Sequence, residues 1–208
     1  MTVFLLAGTL EDSHQIDLIG VVGLPLPPGV SFVEGPAGPE GLPAFYLTHG
    51  ANVGRYARDI MPKQFFTDFT IVVNVRPDDP KGGVIFAIME PRQTSVILGL
   101  QIETLPNSDQ AYIIFMYGIP YYRYEEFLDF PVPNFIGDWQ RFTLSVKGQE
   151  VTLYFGCDNV ITRTLQRKIG PLFIPENSPI YLGRKGLMRN ADDTSYRVSD
   201  TIAVMFPL

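Results

Sequence analysis

The amino-acid sequence predicts an all-β fold in which two antiparallel sheets pack face to face as a sandwich. Hydrophobic residues make up 46% of the 208 residues and charged residues only 18%, and the 15 Phe and 10 Tyr favour strands over helices. The 19 Gly and 18 Pro supply the many turns that such a fold needs. A chain of this length can bury a large core, so we expect one domain over residues 1–208.

The clearest local pattern is a β-hairpin around Gly148. Apolar and polar residues alternate from Arg141 to Lys147 and again from Glu150 to Phe155, which is typical of strands with one buried face. Two strands alone bury too little surface to be stable in water, so the apolar face must lie on a second sheet. The hairpin therefore predicts the sandwich.

The N-terminal part of the chain predicts a short helix and a long loop. Asp12 and Ser13 can cap a helix that runs to Leu18, after which glycines interrupt it. The Pro- and Gly-rich segment 25–43 contains three collagen-like triplets, too few for a triple helix, and is predicted to be a surface loop. The opening residues 1–6 are apolar but lack the basic start and the cleavage site of a complete secretory signal.

The middle of the chain predicts two further strand pairs. Alternation over 69–77, a turn at 78–83 and the apolar run 84–89 predict a second hairpin. The segments 95–102 and 111–117 predict another pair, separated by a turn-rich stretch.

The later part of the chain predicts one long connection and the remaining strands. Residues 121–133 are predicted to be irregular because prolines precede and interrupt them. Strands at 161–169, 180–182 and 201–206 bring the predicted total to about a dozen, which is in the range of β-sandwiches.

The charge of the chain is unevenly distributed. Residues 1–139 hold 7 Lys or Arg against 16 acids, whereas residues 140–208 hold 9 against 6, for a net charge of −6. An acidic chain argues against general nucleic-acid binding, which needs a basic footprint. The basic third can still contact a polyanion locally. No apolar run reaches the roughly 18 residues of a membrane span, so none is predicted.

Several motifs, taken in order, resemble the thrombospondin N-terminal-like domains. The motifs are Phe65-Phe66 with Asp68-Phe69, Arg76-Pro77, Gly83 to Ile88, Leu98-Gly99, the hairpin from Trp139 to Cys157, and Ile180 to Gly183. This family is a branch of the laminin-G-like jelly rolls, which share the concanavalin-like sandwich and occur at the amino ends of non-fibrillar collagens. Arg55-Tyr56-Ala57 and Pro62 resemble the multiplexin collagens, types fifteen and eighteen.

The resemblance runs from Gly8 to Phe206 and implies a jelly-roll sandwich in a secreted protein of the extracellular matrix or basement membrane, with a role in cell adhesion. A collagen parent would be a trimer through its triple helix. In the family the cysteine after this hairpin pairs with another just beyond the last strand, so the resemblance implies a partner for Cys157 beyond Leu208. The residues alone leave open a buried thiol or a reducing compartment.

No catalytic residues are predicted, and the chain is not expected to be an enzyme. Glu125, Glu126 and Asp129 lack the spacing of the paired carboxylates used by jelly-roll glycosidases, and we expect them in a solvated acidic turn. His14 and His49 are the only imidazoles, and neither lies in a nucleophile motif or a zinc-ligand spacing.

A second hypothesis from the sequence is calcium binding. Laminin-G-like domains can bind it on rim loops, and Asp78, Asp79, Asp192 and Asp193 lie in turn-like segments that offer carboxylate oxygens. Acidic turns are common, and the family that the chain resembles does not require calcium. We therefore expect neither a metal nor a cofactor.

Six basic residues form the candidate site for a sulfated glycosaminoglycan. They are Arg163, Arg167, Lys168, Arg184, Lys185 and Arg189. Arg163 and Arg167 are four residues apart, so on an extended strand they face the same side, and planar guanidinium groups suit sulfate as they suit phosphate. The resemblance implies binding of heparin and heparan sulfate through basic clusters; solvated surface charge is the alternative.

The aromatic residues near this region have two interpretations. Tyr117, Tyr121, Tyr122 and Tyr124 can stack against sugars or fill a protein interface. They can also pack their loop onto the sandwich, which we favour. Trp139 is predicted to belong to the core.

The function predicted from the sequence is a non-catalytic interaction module of a collagen-like extracellular matrix protein. Its loops would present binding surfaces to heparan sulfate or to matrix proteins. The alternative is a lectin-like carbohydrate-binding domain with a defined saccharide pocket.

Overall fold

The structure, a computed structural model, describes residues 4–7, 14–36, 43–48, 50–105, 108–122, 124–186 and 202–203. The strands in chain order are β1 (Phe4–Ala7), β2 (His14–Asp17), β3 (Val30–Glu34), β4 (Pro43–Leu47), β5 (Val53–Tyr56), β6 (Phe69–Pro77), β7 (Gly82–Met89), β8 (Val96–Thr104), β9 (Gln110–Ile119), β10 (Tyr124–Pro133), β11 (Gln140–Lys147), β12 (Glu150–Phe155), β13 (Asn159–Thr164), β14 (Pro179–Leu182) and β15 (Ile202–Ala203). The helical segments among the described residues are 3-10 turns at Leu18–Val21 and Ala57–Asp59. None of the described helical segments has the length and apolar character needed to cross a membrane.

The strands form two large antiparallel sheets and a small ribbon. The first sheet has the order β13-β12-β11-β6-β1-β2, with β15 also paired to β6, and the second has the order β10-β9-β8-β7-β14-β5. Strands β3 and β4 form the ribbon. The all-β sandwich predicted from the sequence is thereby confirmed.

One apolar core lies between the two sheets. Phe86, Phe115 and Phe130 of the second sheet and Phe142 of the first are among the largest fully buried side chains, and all belong to a single hydrophobic cluster. Each such side chain contributes about 1.5–3 kcal/mol by leaving water. The shared cluster is what holds the two sheets together.

The hairpin around Gly148 forms as predicted. Strands β11 and β12 pair with Leu144 opposite Leu153 and Val146 opposite Val151, and these side chains are buried. The polar residues between them point to the other face, as the two-residue period of a strand requires. The pair β8 and β9 is likewise antiparallel, as expected.

The predicted N-terminal helix is wrong. His14–Asp17 is the strand β2, which pairs with β1, and it leads into the 3-10 turn Leu18–Val21. The Asp17 carboxylate accepts a hydrogen bond from the backbone N–H of Ile19 at 2.9 Å, so Asp17 caps the turn. Asp12 and Ser13, the predicted caps, lie outside the described residues.

The predicted hairpin of β6 and β7 is also wrong. Strand β6 pairs with β1 and β11 in the first sheet, whereas β7 pairs with β8 and β14 in the second. The turn between them carries the chain from one sheet to the other. Both strands were expected, but alternation does not determine which neighbours they pair with.

The prediction that residues 121–133 form an irregular connection is wrong. Most of these residues belong to β10. This strand pairs with β9 over ten residues, with Pro131 opposite Tyr112 and Pro133 opposite Gln110. Proline lacks a backbone donor and is tolerated on an edge strand, and β10 is the edge of the second sheet.

The second sheet is also apolar on the face away from the core. Six buried residues from β7, β8, β9 and β14 form a separate cluster there: Val84, Ala87, Met89, Val96, Met116 and Tyr181. We call this group the outer cluster. It makes β7 buried along its whole length, which is unusual for a strand of an antiparallel sheet with one face to solvent.

Candidate binding surface

The edge strands β13 and β10, one from each sheet, are joined by side-chain hydrogen bonds. Arg163 Nε donates to the carbonyl oxygen of Asp129 at 3.2 Å, and the backbone N–H of Gln166 donates to Glu126 Oε2 at 2.9 Å. The hydroxyl of Tyr124 lies 2.8 Å from Glu126 Oε2 and 2.9 Å from the carbonyl oxygen of Gln166. These contacts close one side of the sandwich, and we call them the seam.

Arg163 uses its Nε for a hydrogen bond of the seam, but its side chain is not buried there. Arg163 Nη1 donates to the carbonyl oxygen of Thr162 at 3.3 Å, and the guanidinium carbon lies 5.9 Å from the centre of the Phe130 ring. The residue remains exposed. A sulfate group can therefore still approach it from solvent.

The prediction that Arg163 and Arg167 share one face of a strand is wrong. Strand β13 ends at Thr164, and the chain then turns inward, so Arg167 is not on the strand. Its side chain is completely buried, Nε donates to the carbonyl oxygen of Gly148 at 2.6 Å, and Nη2 lies 3.3 Å from Asp68 Oδ1. The guanidinium group thus anchors the turn between β11 and β12, and it is not available to a sulfated ligand.

The other candidate cations are dispersed. Lys168 is exposed and Lys185 is half-buried, whereas Arg184 is buried. Arg189 lies outside the described residues. The described members of the predicted set therefore do not form one continuous basic patch.

Arg184 lies over the outer cluster. Only 8% of the residue is exposed, and its guanidinium carbon is 4.5 Å from the centre of the Tyr181 ring. The Tyr181 hydroxyl donates to Gln93 Oε1 at 2.9 Å. Arg184 Nε and Nη2 are buried and have no hydrogen-bond partner.

The three acidic residues Glu125, Glu126 and Asp129 were predicted to lie in a solvated turn. This prediction is wrong, because all three lie on strand β10. Glu125 Oε1 accepts a hydrogen bond from the backbone N–H of Val96 at 2.5 Å, and Glu126 is bound within the seam. The hydrogen bond to Glu126 raises the pKa of the Tyr124 hydroxyl above its ordinary value. Two of the three acids thus have structural roles, while Asp129 is exposed.

The candidate calcium ligands that the structure describes have protein partners. Asp78 Oδ1 accepts from Arg76 Nε at 3.1 Å, and Asp79 Oδ1 accepts from the backbone N–H of Lys81 at 2.8 Å. No group of three or more potential metal ligands among His, Cys, Asp and Glu occurs in the described ranges. Asp192 and Asp193 lie outside them.

The cysteine and the two histidines, considered above for a disulfide, catalysis or zinc binding, are the next candidates. Cys157 is an exposed free cysteine in the turn between β12 and β13, so the alternative of a buried thiol is wrong. His14 belongs to β2, and His49 lies outside the described residues.

The tyrosine group divides into packed and exposed members. Tyr117 is buried in the core, and Tyr124 belongs to the seam. Tyr121, at a φ of 69°, and Tyr122, which is 80% exposed, form the turn between β9 and β10. Trp139 is half-buried and packs in a small cluster with Ala44 beneath the β3–β4 ribbon, outside the main core.

Sequence reasoning missed the contacts that join distant segments. Asp68 and Arg167 are 99 residues apart, and Gln93 and Tyr181 are 88 residues apart. No local period or motif predicts such pairs. The only signal was the change from an alternating strand to irregular sequence after Thr164, which indicates that a following arginine need not point to solvent.

Comparison with known proteins finds relatives in sequence and solved structures of similar fold. No protein-family model matches the chain. The human collagen alpha-1(XVIII) chain is 30% identical over 175 residues, which cover 84% of this chain and 10% of that one. The chain thus spans about a tenth of the length of this curated relative.

Among the solved structures that match, two are given with their similarity to this chain. The heptameric SAP-like pentraxin from Limulus polyphemus is 11% identical, with a TM-score of 0.50 over 84% of this chain and 70% of that one. Domains LG4-5 of the mouse laminin alpha1 chain are 10% identical, with a TM-score of 0.48 over 75% of this chain and 37% of that one.

Proposed function

We propose that this chain, which belongs to the thrombospondin N-terminal-like, laminin-G-like domains of the multiplexin collagen type, is a non-catalytic interaction module of an extracellular matrix protein. The observation that carries the proposal is the 30% identity to collagen alpha-1(XVIII) over 84% of the chain. A collagen parent would be secreted and trimeric, and this domain would display its loops to matrix partners.

The chemistry of β10 supports a role without catalysis. Paired carboxylates of a glycosidase must face the same substrate, about 5–10 Å apart. Here Glu125 binds the backbone of β8 and Glu126 closes the seam. Asp129 shares one face with Glu125 but has no second free carboxylate beside it among the strand residues 124–133.

Heparan sulfate is the ligand that we propose, contacted through Arg163, Lys168 and Lys185. These are the members of the predicted set, within the described residues, that are not buried. Binding through dispersed cations is electrostatic, so it weakens as salt screens the charges. Because Glu125 and Asp129 lie on the neighbouring edge strand, we expect moderate affinity and not a tight site.

The test is retention on immobilised heparin in a salt gradient. A variant with Arg163→Gln, Lys168→Gln and Lys185→Gln is expected to elute at clearly lower salt than the original chain, because three cations are lost. The matched control carries Arg58→Gln, Lys63→Gln and Lys81→Gln, which remove three exposed cations elsewhere. Equal elution of the two variants would mean that only net charge matters and would contradict the assignment.

We also propose that Cys157 forms a disulfide with a cysteine that follows Leu208 in the parent protein. Its exposed position in a turn makes the thiol accessible for pairing. Comparing the mass of peptides from the native parent before and after reduction tests this. A free thiol at Cys157 in that protein would contradict it.

A further inference from the structure

A long loop, residues 165–178, crosses one end of the sandwich, from β13 in the first sheet to β14 in the second. The loop is anchored along its length. Leu165 and Leu172 are buried in the main core, and the carbonyl oxygen of Gln166 accepts a hydrogen bond from the Tyr124 hydroxyl at 2.9 Å. The side chains that the loop directs outward are therefore not needed to hold it in place.

Three segments meet at this end and expose large apolar side chains. The loop begins beside the turn between β9 and β10, through the bond to Tyr124, and it ends beside Tyr56, since the backbone N–H of Arg58 donates to the carbonyl oxygen of Glu176 at 3.0 Å. Five of the eleven large apolar side chains that the described residues expose lie here, and we call them the end surface: Tyr56, Tyr121, Tyr122, Ile169 and Phe173. Such a concentration marks an interaction site, whereas single exposed apolar residues do not.

Tyr121 has a backbone conformation that no contact inside the fold explains. Its φ is 69°, in the left-handed region that glycine adopts at little cost and that strains a residue with a Cβ. Gln93, the other non-glycine residue with a positive φ in the described ranges, accepts a hydrogen bond from Tyr181. The Tyr121 side chain is instead 57% exposed. Strain at an exposed aromatic residue points to a contact with another molecule.

Charges of both signs flank the end surface. Lys168 lies near the start of the loop and Glu176 near its end, and both are exposed. Arg58 and Asp59, whose Nε and Oδ1 are 3.8 Å apart, follow Tyr56. A polyanion is repelled by the acids and a polycation by the bases, whereas a second copy of the surface offers a partner for each sign. The charges therefore favour association of the chain with itself.

We propose that the end surface binds the end surface of a second copy of this chain, in a pair with two-fold symmetry. The two loops then run antiparallel across the axis, so that Lys168 of each copy faces Glu176 of the other. The apolar side chains of both copies meet at the centre, and the charges lie on the rim. This pairing goes beyond the proposed function and does not depend on heparan sulfate.

The exposed area fits a weak and reversible pair. An aromatic side chain has about 150–250 Å² of surface, so the five side chains at their observed exposures offer on the order of 500 Å² per copy. Standard interfaces bury about 800 Å² per partner, and those below about 600 Å² are weak. With its charged rim the end surface reaches the lower end of this range. We therefore expect association at micromolar to millimolar concentrations.

Sedimentation equilibrium of the 208-residue chain tests the pairing. Heparin is left out, because Lys168 also belongs to the proposed heparan sulfate set. The average mass is expected to rise from that of one chain, 23.3 kDa, towards twice this value between about 1 µM and 1 mM. A mass of one chain over the whole range, or a mass that continues towards three chains, would overturn the proposal.

Two pairs of substitutions test whether the end surface forms the contact. Tyr122→Ser with Phe173→Ser is expected to raise the dissociation constant by about tenfold or more, because each copy loses two large apolar contacts. The control, Phe127→Ser with Tyr154→Ser, removes two exposed aromatic residues from β10 and β12 and is expected to leave the constant within about twofold. Circular dichroism checks that both proteins fold. Equal effects of the two pairs would show that the contact lies elsewhere and overturn the choice of surface.

An exchange of charges tests the two-fold arrangement with variants that leave the apolar side chains unchanged. Lys168→Glu alone and Glu176→Lys alone are each expected to weaken association, because like charges then face each other in both contacts. An equal mixture of the two variants is expected to restore it, because every contact again joins opposite charges. A mixture that associates no better than the separate variants would overturn the arrangement.

Discussion

Arg167 and Asp68 show what single side chains contribute to this domain. The guanidinium group is completely buried, whereas the Asp68 side chain is half exposed, and Asp68 Oδ1 also accepts a hydrogen bond from the backbone N–H of Gly148 at 2.8 Å. Arg167 and Asp68 together hold both polar groups of Gly148, at the turn between β11 and β12. The pair therefore fixes the turn that the sequence identified most clearly.

We predict that Arg167→Met destabilises the domain by about 2 kcal/mol, because the carbonyl oxygen of Gly148 loses its donor and Asp68 its partner. Unfolding in urea, followed by circular dichroism, measures the difference. The control is Arg141→Met, at an exposed arginine of β11, with an expected change within about 1 kcal/mol. Equal effects of the two substitutions would contradict the structural role of Arg167.

The sequence predicted few of the side-chain environments in the candidate site. Residue type indicated that arginine can bind sulfate, but the buried environment of Arg167 includes Asp68, which is 99 residues away in the chain. Exposure of Lys168 was predictable from its type alone. The type of a charged residue therefore does not show whether its side chain is free to bind a ligand, because that depends on the residues that pack against it.

At the scale of elements, local alternation predicted strands better than their pairing. β11 and β12 were predictable because a tight turn joins them and fixes their register. β6 and β7 were recognised as strands, but their separation into two sheets follows from contacts with β11 and β14, which no local pattern encodes. β10 was not predicted, because the prolines in and before this segment were taken as evidence against a strand. In the structure, the burial of its side chains largely alternates, as in other strands.

Gly82, where the chain enters the second sheet, gives a prediction for an element boundary. Its φ is 82°, and an added Cβ would overlap the carbonyl oxygen of Ile102 on β8. We expect Gly82→Ala to destabilise the domain by about 3 kcal/mol or more, from backbone strain plus overlap with that strand.

Gly137 is the matched control for this substitution. Its φ is 85°, and nothing lies within 4 Å of an added Cβ, so only the backbone strain of about 1–2 kcal/mol applies. Thermal or urea unfolding of the two variants compares them directly. A cost for Gly82→Ala no greater than for Gly137→Ala would show that the close approach of β7 to β8 is not as described.

At the scale of the whole molecule, a single core and a closed seam make a rigid scaffold. Both sheets contribute to one hydrophobic cluster, and Arg163, Gln166 and Tyr124 join their edges. Because of this shared cluster and the seam, we propose that residues 1–208 fold as one unit. Such a scaffold suits presentation of surface groups to partners, because little order has to be gained on binding.

The overall architecture was more predictable than the function of any surface. Composition and alternation depend on the average burial of a face, so they determine the fold class even where individual pairings are missed. Function depends on which charges remain free, and here Arg167 and Glu126 are bound within the fold. The net charge of −6 further limits long-range attraction of polyanions, so the exposed cations must act locally.

Binding of the labelled domain to an array that holds sulfated glycosaminoglycans beside neutral oligosaccharides tests the central claim most directly. The account predicts that heparan sulfate and heparin give the strongest signals and that these signals fall as the salt concentration rises. Signals dominated by neutral oligosaccharides and insensitive to salt would contradict it and favour a lectin-like saccharide site.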